Sequence, residues 1–389
     1  MKRSGSGLII ALGLCVLPAF AGKVTYPVNY VCDPQTISQS LCDALNSTLG
    51  AEYSDLFGAT ATAKIYIQMG TLDAGVIGHT FQFYSTVDYS TYYNALKGSI
   101  NGTADVEALA SLPAAAPFGN PINPNYNVSL TSALDAALGL GGGVGACAPG
   151  TPSCGAGCGF TLSNGLPNTN CYNGVVTISG SKLVSFYGAV PNASGVYDLD
   201  SGTYSPGDYD FFTVVQHETD EVLGTGSCLQ GGTLQVSHMC LNGVWGISPA
   251  DLFRYIAPAQ RGFTIGANQA VTLSGPGAYF SIDGGQTSIA GLYNSSNGPD
   301  YGDLSTVCQH VQDAIGCSNW TSTGHQQGVT LTNDGGVEIA MLDAIGYSLT
   351  SGAGELSTSD FYAPEPSSLG LAAVGFGLSG VIWRRRQRG

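Results

Sequence analysis

His217, Glu218 and Glu221 stand in the stretch F-F-T-V-V-Q-H-E-T-D-E-V-L-G-T-G-S, residues 211–227. The apolar residues Phe211, Phe212, Val214, Val215, Val222 and Leu223 predict a helix that Gly224 stops. On that helix His217 and Glu221 lie one turn apart and share a face, with Glu218 about 100° round from His217. An imidazole and a carboxylate on one face can share a metal ion. A carboxylate beside them that is not a ligand can take a proton from water. This is the residue set of metal-assisted hydrolysis. The usual helical pattern is H-E-x-x-H, and here Glu221 stands at the second histidine position. Taken alone, the same residues also describe an acidic helix face with one histidine.

Elements ahead of and behind this helix must position it. Thr62 to Met69 alternates apolar and polar residues and predicts a strand, and Asn173 to Tyr187 predicts a strand pair. Helices are expected over Thr86 to Lys97, Asp105 to Leu112, Val311 to Ile315 and Val337 to Ile345. Pro113 to Pro124 is Pro/Ala-rich and reads as a loop. Strands first, then a central helix, then a looser half imply an α+β fold. The chain shows no internal repeat.

The 389 residues carry only 10% charge, 56 glycines and a formal charge of −15. Of the 12 Lys and Arg, only Lys23, Lys64, Lys97, Lys182, Arg254 and Arg261 lie between Gly22 and Ala363, a stretch holding 26 of the 27 acids. So acidic a body excludes a nucleic-acid binder, which would show a basic patch. Hydrophobic content of 43% excludes wholesale disorder. Residues 1–21 read as a secretory signal: Lys2 and Arg3, an apolar run from Leu8 to Leu17, then the cleavage site Ala19-Phe20-Ala21. The body, residues 22–362, reads as one ectodomain with an upper part over about 22–224 and a lower part over about 225–350. At the other end, Pro364-Glu365-Pro366 precedes an apolar segment, 367–383, near the lower length limit for a membrane span. Arg384, Arg385 and Arg386 follow it.

Removing the signal leaves ten of the 11 cysteines, an even number in an exported chain, and implies disulfides. Local groups are Cys32/Cys42, Cys228/Cys240, Cys308/Cys317 and the cluster Cys147, Cys154, Cys158 and Cys171. That cluster matches no zinc-ribbon spacing, so bridges are expected there too. Asp283-Gly284-Gly285 and Asp300-Tyr301-Gly302-Asp303 are acidic glycine loops that could bind calcium through loop oxygens or simply turn the chain. His79, His310 and His325 have no partner at ligand spacing.

Two resemblances add to this. Pro364-Glu365-Pro366, the short apolar helix and the Arg cluster ending the chain resemble the PEP-CTERM sorting signal, over residues 364–389. That implies an exosortase-type sorting enzyme as partner. It also implies anchoring in the inner membrane through the C-terminal helix, then processing and release to the cell surface or beyond. Separately, H-E-x-x-E-V-L-G-x-G-S at 217–227, Ser248 to Tyr255, Ser281 to Gly285 and Ile339 to Tyr347 resemble a family of secreted bacterial metzincin-like zinc metalloproteases, over about 60–347. The resemblance implies a zincin fold: a mixed sheet ahead of the active-site helix and a loop-rich, disulfide-bonded C-terminal half. It implies zinc as cofactor and a protein or peptide as substrate. It makes His217 and Glu221 zinc ligands and Glu218 the general base. At the family's third ligand position stands Ser227, so the third ligand is expected from Asp251, in the matching Pro-Ala-Asp-Leu-Phe-Arg-Tyr block. His238 is the alternative, folded back by a Cys228–Cys240 bridge. Arg254 or Tyr255 is a candidate for oxyanion stabilisation, or else for ordinary packing. Two other functions stay open on the residues: a surface or matrix protein on the same scaffold without catalysis, and a β-rich glycan-binding adhesin.

Overall fold

Alternation decides the central sheet. In the computed structural model, which describes residues 27–113, 127–151, 157–200, 205, 207–229, 240, 246–265, 271–273, 277–293, 300–307, 309–315 and 336–350, β1 is Val28–Cys32. Helices α1 (Gln39–Leu45) and α2 (Ala51–Phe57) follow, joined by a wide turn at Asn46–Gly50. In β2 (Ala63–Gly70), Ala63, Ile65, Ile67 and Met69 are buried, while Lys64, Tyr66 and Gln68 are half-buried. This is the period of two that places alternate side chains on opposite faces. Next come β3 (Gly78–Phe81) and β4 (Tyr84–Asp88), then α3 (Tyr89–Ser99) and α4 (Thr103–Ser111). After them stand β5 (Asn127–Thr131), α5 (Ser132–Ala137), β6 (Gly174–Ser179) and α6 (Phe211–Leu223). The sheet order is β1-β2-β6-β3. β1, β2 and β6 are parallel, and β3 closes the edge antiparallel to β6, with Thr80 opposite Val176.

A second sheet sets β5 between β4 and β7 (Gly246–Ile247). The lower part is built from short strands, and the last helix, α7 (Val337–Ile345), is buried along its whole length. The hydrophobic core is continuous from Val28 in the upper part to Tyr347 in the lower. Across it, the Tyr347 hydroxyl donates to the Leu223 carbonyl at 2.8 Å, tying the chain after α7 to the end of α6. The architecture is a mixed α+β arrangement.

Two helical expectations are corrected. Thr86 to Asp88 belong to β4, paired antiparallel with β5, and the helix begins only at Tyr89. Val311 to Ile315 is a turn followed by the strand Asp313–Ile315. The Asp313 carboxylate accepts from the backbone N–H of Gln309 and His310 and closes that turn locally. Helices α1 and α2 were not anticipated. Cys32–Cys42, Cys228–Cys240 and Cys158–Cys171 are bonded, and Cys147 is also in a disulfide. The Cys308/Cys317 pair, residues 114–124 of the expected loop, the 1–21 signal and the 363–389 tail lie outside the described residues. Among the described residues no helix is long and apolar enough to cross a membrane.

Candidate metal centre

Helix α6 is polar on most of its circumference and still buried. Gln216, Glu218, Thr219, Asp220 and Glu221 are all buried. Buried polar groups persist where they are hydrogen-bonded. On the side facing β1 and α2, the Tyr30 hydroxyl lies 3.0 Å from Thr219 Oγ1, and the Tyr53 hydroxyl donates to Asp220 Oδ1 at 2.5 Å. Gln216 Nε2 donates to Glu52 at 2.7 Å. Asp210 caps the helix by accepting from the Thr213 N–H at 2.8 Å. Gly224 ends it at φ 121°, where a side chain would also press on Leu134 and Ile345. The helix is thus fixed in rotation and length, which fixes where His217 and Glu221 point.

They point at Asp303. His217 Nε2 lies 3.9 Å from Glu221 Oε1 and 3.7 Å from Asp303 Oδ1. One ligand atom from each of the three lies within 4.8 Å of the others. His217 Nδ1 is 2.9 Å from the Val311 carbonyl, which can only accept, so Nδ1 carries a proton and Nε2 is the nitrogen that faces the two carboxyl groups. The carbonyl is itself held. Gln312 Nε2 donates to the His217 carbonyl at 2.9 Å, and the Gln312 N–H donates to Glu338 of α7 at 2.8 Å. The last helix therefore orients the imidazole through the 311–312 segment.

Glu218 is buried against the edge strand. Thr80 Oγ1 donates to Glu218 Oε2 at 2.6 Å. A side chain at Gly78 would collide with the Glu218 carboxylate, so β3 is shaped around this residue. Burial raises the Glu218 carboxyl above its ordinary range, against the pull of His217, Thr80 and His79. Burial also holds Glu221 and Asp303 well above the carboxylate range. Neighbouring carboxylates add to it: Glu218, Asp300 and Asp303 for Glu221, and Asp300, Glu218 and Asp313 for Asp303.

The structure does not bring the expected third ligand, Asp251, to this cluster. Asp251 is fully engaged elsewhere: Oδ1 accepts from Ser227 Oγ at 2.5 Å, and Oδ2 accepts from the N–H groups of Cys228 and Ser248, each at 3.0 Å. Arg254 and Tyr255 are not free for an oxyanion. The Arg254 guanidinium is buried and donates to the carbonyls of Tyr301 and Tyr293, each at 2.7 Å, while Tyr255 is buried beneath Arg261. The Pro-Ala-Asp-Leu-Phe-Arg-Tyr block is thus a knot behind the site. His238 lies outside the described residues. Asp283 accepts from Ser281 Oγ and the Thr287 N–H and closes its own turn. The residues that sequence reasoning missed are Asp303, seen only as part of a candidate calcium loop, and Thr80, which carried no signal.

These buried carboxyls make the metal-free fold sensitive to pH in a defined sense. A carboxyl that keeps its proton to higher pH in the fold than in the unfolded chain contributes stability fully present below about pH 4. That stability is lost as the pH rises through the folded value. For Asp300, raised by burial to about 7, the window runs from about 4 to about 7, and the raised Glu221 and Asp303 carboxyls act in the same direction. The melting temperature in chelator should therefore fall by about 5 °C between pH 5 and pH 8. No fall over that range would mean that the fold does not hold these carboxyls above their ordinary range.

Residues 363–386 match the PEP-CTERM protein-sorting motif. The expected Pro364, Glu365 and Pro366 fall within it. The motif marks the chain for export, for anchoring through its C-terminal tail and for recognition by an exosortase-type sorting enzyme. No curated protein and no solved structure matches the chain.

Proposed function

We propose that the chain is an exported metal-dependent peptidase, in which His217, Glu221 and Asp303 hold a zinc ion and Glu218 is the general base. The observation that carries this reading is the convergence of those three ligand atoms within 4.8 Å, beside a buried glutamate. The donor set fits the ion. One neutral imidazole and two carboxylates balance its charge, and zinc accepts both ligand types. Tetrahedral bonds of about 2.0–2.1 Å put ligand atoms roughly 3.3 Å apart. The two separations here, 3.7 and 3.9 Å, need only a small contraction. The Val311 carbonyl fixes the imidazole tautomer that ligation requires.

When bound, the ion supplies Lewis acidity at a scissile carbonyl. Glu218 takes the proton of the attacking water and later returns it to the leaving amine. Thr80 keeps the carboxylate oriented by donating to Oε2. Burial raises its affinity for a proton, which suits a base working near neutrality. Calcium is the alternative occupant, since carboxylates suit it as well.

The test is metal content by mass spectrometry on the purified protein beside a His217→Ala, Glu221→Ala variant, followed by a peptide library. About one zinc per chain, lost in the variant, with cleavage of some peptides, is the expected result. No metal in either protein and no cleavage would remove the reading. The second reading is a surface or matrix protein on this scaffold without catalysis. Ser227 favours it, because its hydroxyl is committed to Asp251 and offers nothing to a metal. Zinc binding without turnover of any peptide would select it.

A further inference from the structure

The metal-centre reading leaves open how a loop far along the chain delivers a ligand with the accuracy that a short metal bond demands. We propose that Asp300 is a positioning residue that seats Asp303 at the cluster, using the backbone of Ser227. The inference rests on the reading of His217, Glu221 and Asp303 as ligands. After Gly224 the chain leaves α6 through Thr225, Gly226 and Ser227. The Ser227 side chain is turned to Asp251, but its N–H donates to Asp300 Oδ1 at 2.8 Å. The same oxygen accepts from the Gly302 N–H at 2.5 Å, and the Asp303 N–H donates to the Asp300 carbonyl at 3.2 Å. One carboxylate oxygen thus closes the turn that ends in Asp303 and docks it on the segment leaving the active helix.

Two further restraints hold the same turn. A side chain at Gly302 would collide with the Thr225 carbonyl and reach within 3.0 Å of Asp300 Oδ1 and the Ser227 nitrogen, so glycine allows the close approach. From behind, Arg254 donates to the Tyr301 carbonyl inside the turn and to the Tyr293 carbonyl earlier in the chain. A slip of one residue moves an extended chain by about 3.3 Å, enough to lose the 3.7 Å approach of Asp303 to His217. The position where the resembled family carries its third ligand has become the socket for the loop that carries a different one.

The experiment measures zinc affinity, by competition with a chelating dye, for the wild type, Asp300→Ala, Asp300→Asn, Gly302→Ala, Asp303→Ala and the double variant Asp300→Ala, Asp303→Ala. Asp300→Ala and Gly302→Ala are each expected to weaken zinc by about 10- to 100-fold, although both leave all three ligands in place. Asp300→Asn keeps an oxygen for both N–H groups and should stay within about threefold of wild type. Because Asp300 acts through Asp303, adding Asp300→Ala to Asp303→Ala should cost nothing further. Cobalt-substituted Asp300→Ala should show the visible spectrum of Asp303→Ala, a change that general loosening of the fold would not produce. Equal losses from Asp300→Ala in both backgrounds, or none in either, would overturn the positioning role while leaving the metal centre intact. A wild type that binds no zinc would overturn both.

Discussion

Asp303→Ala is expected to weaken zinc binding by at least about 100-fold and to leave the metal-free protein as stable as before, or more so. Loss of an outer-sphere partner already costs about 10- to 100-fold in affinity, and Asp303 offers a ligand atom 3.7 Å from His217 Nε2. In the metal-free fold the same carboxyl is buried beside Asp300 and Glu218 and strains to stay neutral, so removing it relieves the fold. Asp251→Ala should do the opposite. It takes the acceptor from Ser227 Oγ and from the N–H groups of Cys228 and Ser248. Each buried donor left unpaired costs about 1–3 kcal/mol. The melting temperature of metal-free Asp251→Ala should fall by several degrees. Measured side by side, affinity and melting temperature should therefore respond in crossed fashion. If Asp251→Ala folds normally and loses zinc while Asp303→Ala keeps it, the ligand assignment is wrong.

The contrast between these two aspartates shows what this sequence can be read for. Residue pattern located α6 and α7 well, because α6 carries an apolar stripe that Gly224 ends and α7 is a largely apolar run without a helix breaker. It located β2 because its inward residues alternate. It failed over Thr86 to Asp88, where a short run ahead of a true helix continues the helical pattern, and only pairing with β5 makes it a strand. The third member of the cluster was illegible for a related reason. A helix names the partners on its own face, but a loop that arrives from elsewhere in the chain is chosen by tertiary docking. Asp251 had the better motif, yet that motif serves a buried knot: Asp251 accepts from two N–H groups and a hydroxyl, and Arg254 donates to two carbonyls. Asp303 was visible only as an acid in a glycine turn. Thr80 could not be seen at all, since one threonine on an edge strand differs in no local way from any other.

Glu218→Gln is the substitution that separates the two readings of the site, and it should lower peptide turnover by about 10²- to 10⁴-fold, the usual contribution of a general base. The geometry makes it a clean change. The amide has the size of the carboxylate, fits against Gly78, and can still accept from Thr80 Oγ1 through its oxygen. What it cannot do is take a proton from water. Because Glu218 is not one of the three converging residues proposed as ligands, zinc affinity should stay within a few-fold of wild type. The variant also removes a carboxyl that burial disfavours, so the metal-free protein should melt slightly higher. Thr80→Val should give a smaller loss of turnover and shift the acid limb of the rate profile to higher pH. That follows because the Thr80 hydrogen bond lowers the Glu218 pKa, and removing it lets the proton stay on to higher pH. Turnover in Glu218→Gln equal to wild type would remove Glu218 from the chemistry and point to another base. A protein that binds zinc tightly, and in which neither wild type nor variant cleaves anything, would instead have kept the metal as a staple between α6 and the Asp303 loop. Its role would then be structural, in a chain that the C-terminal motif marks for export and anchoring.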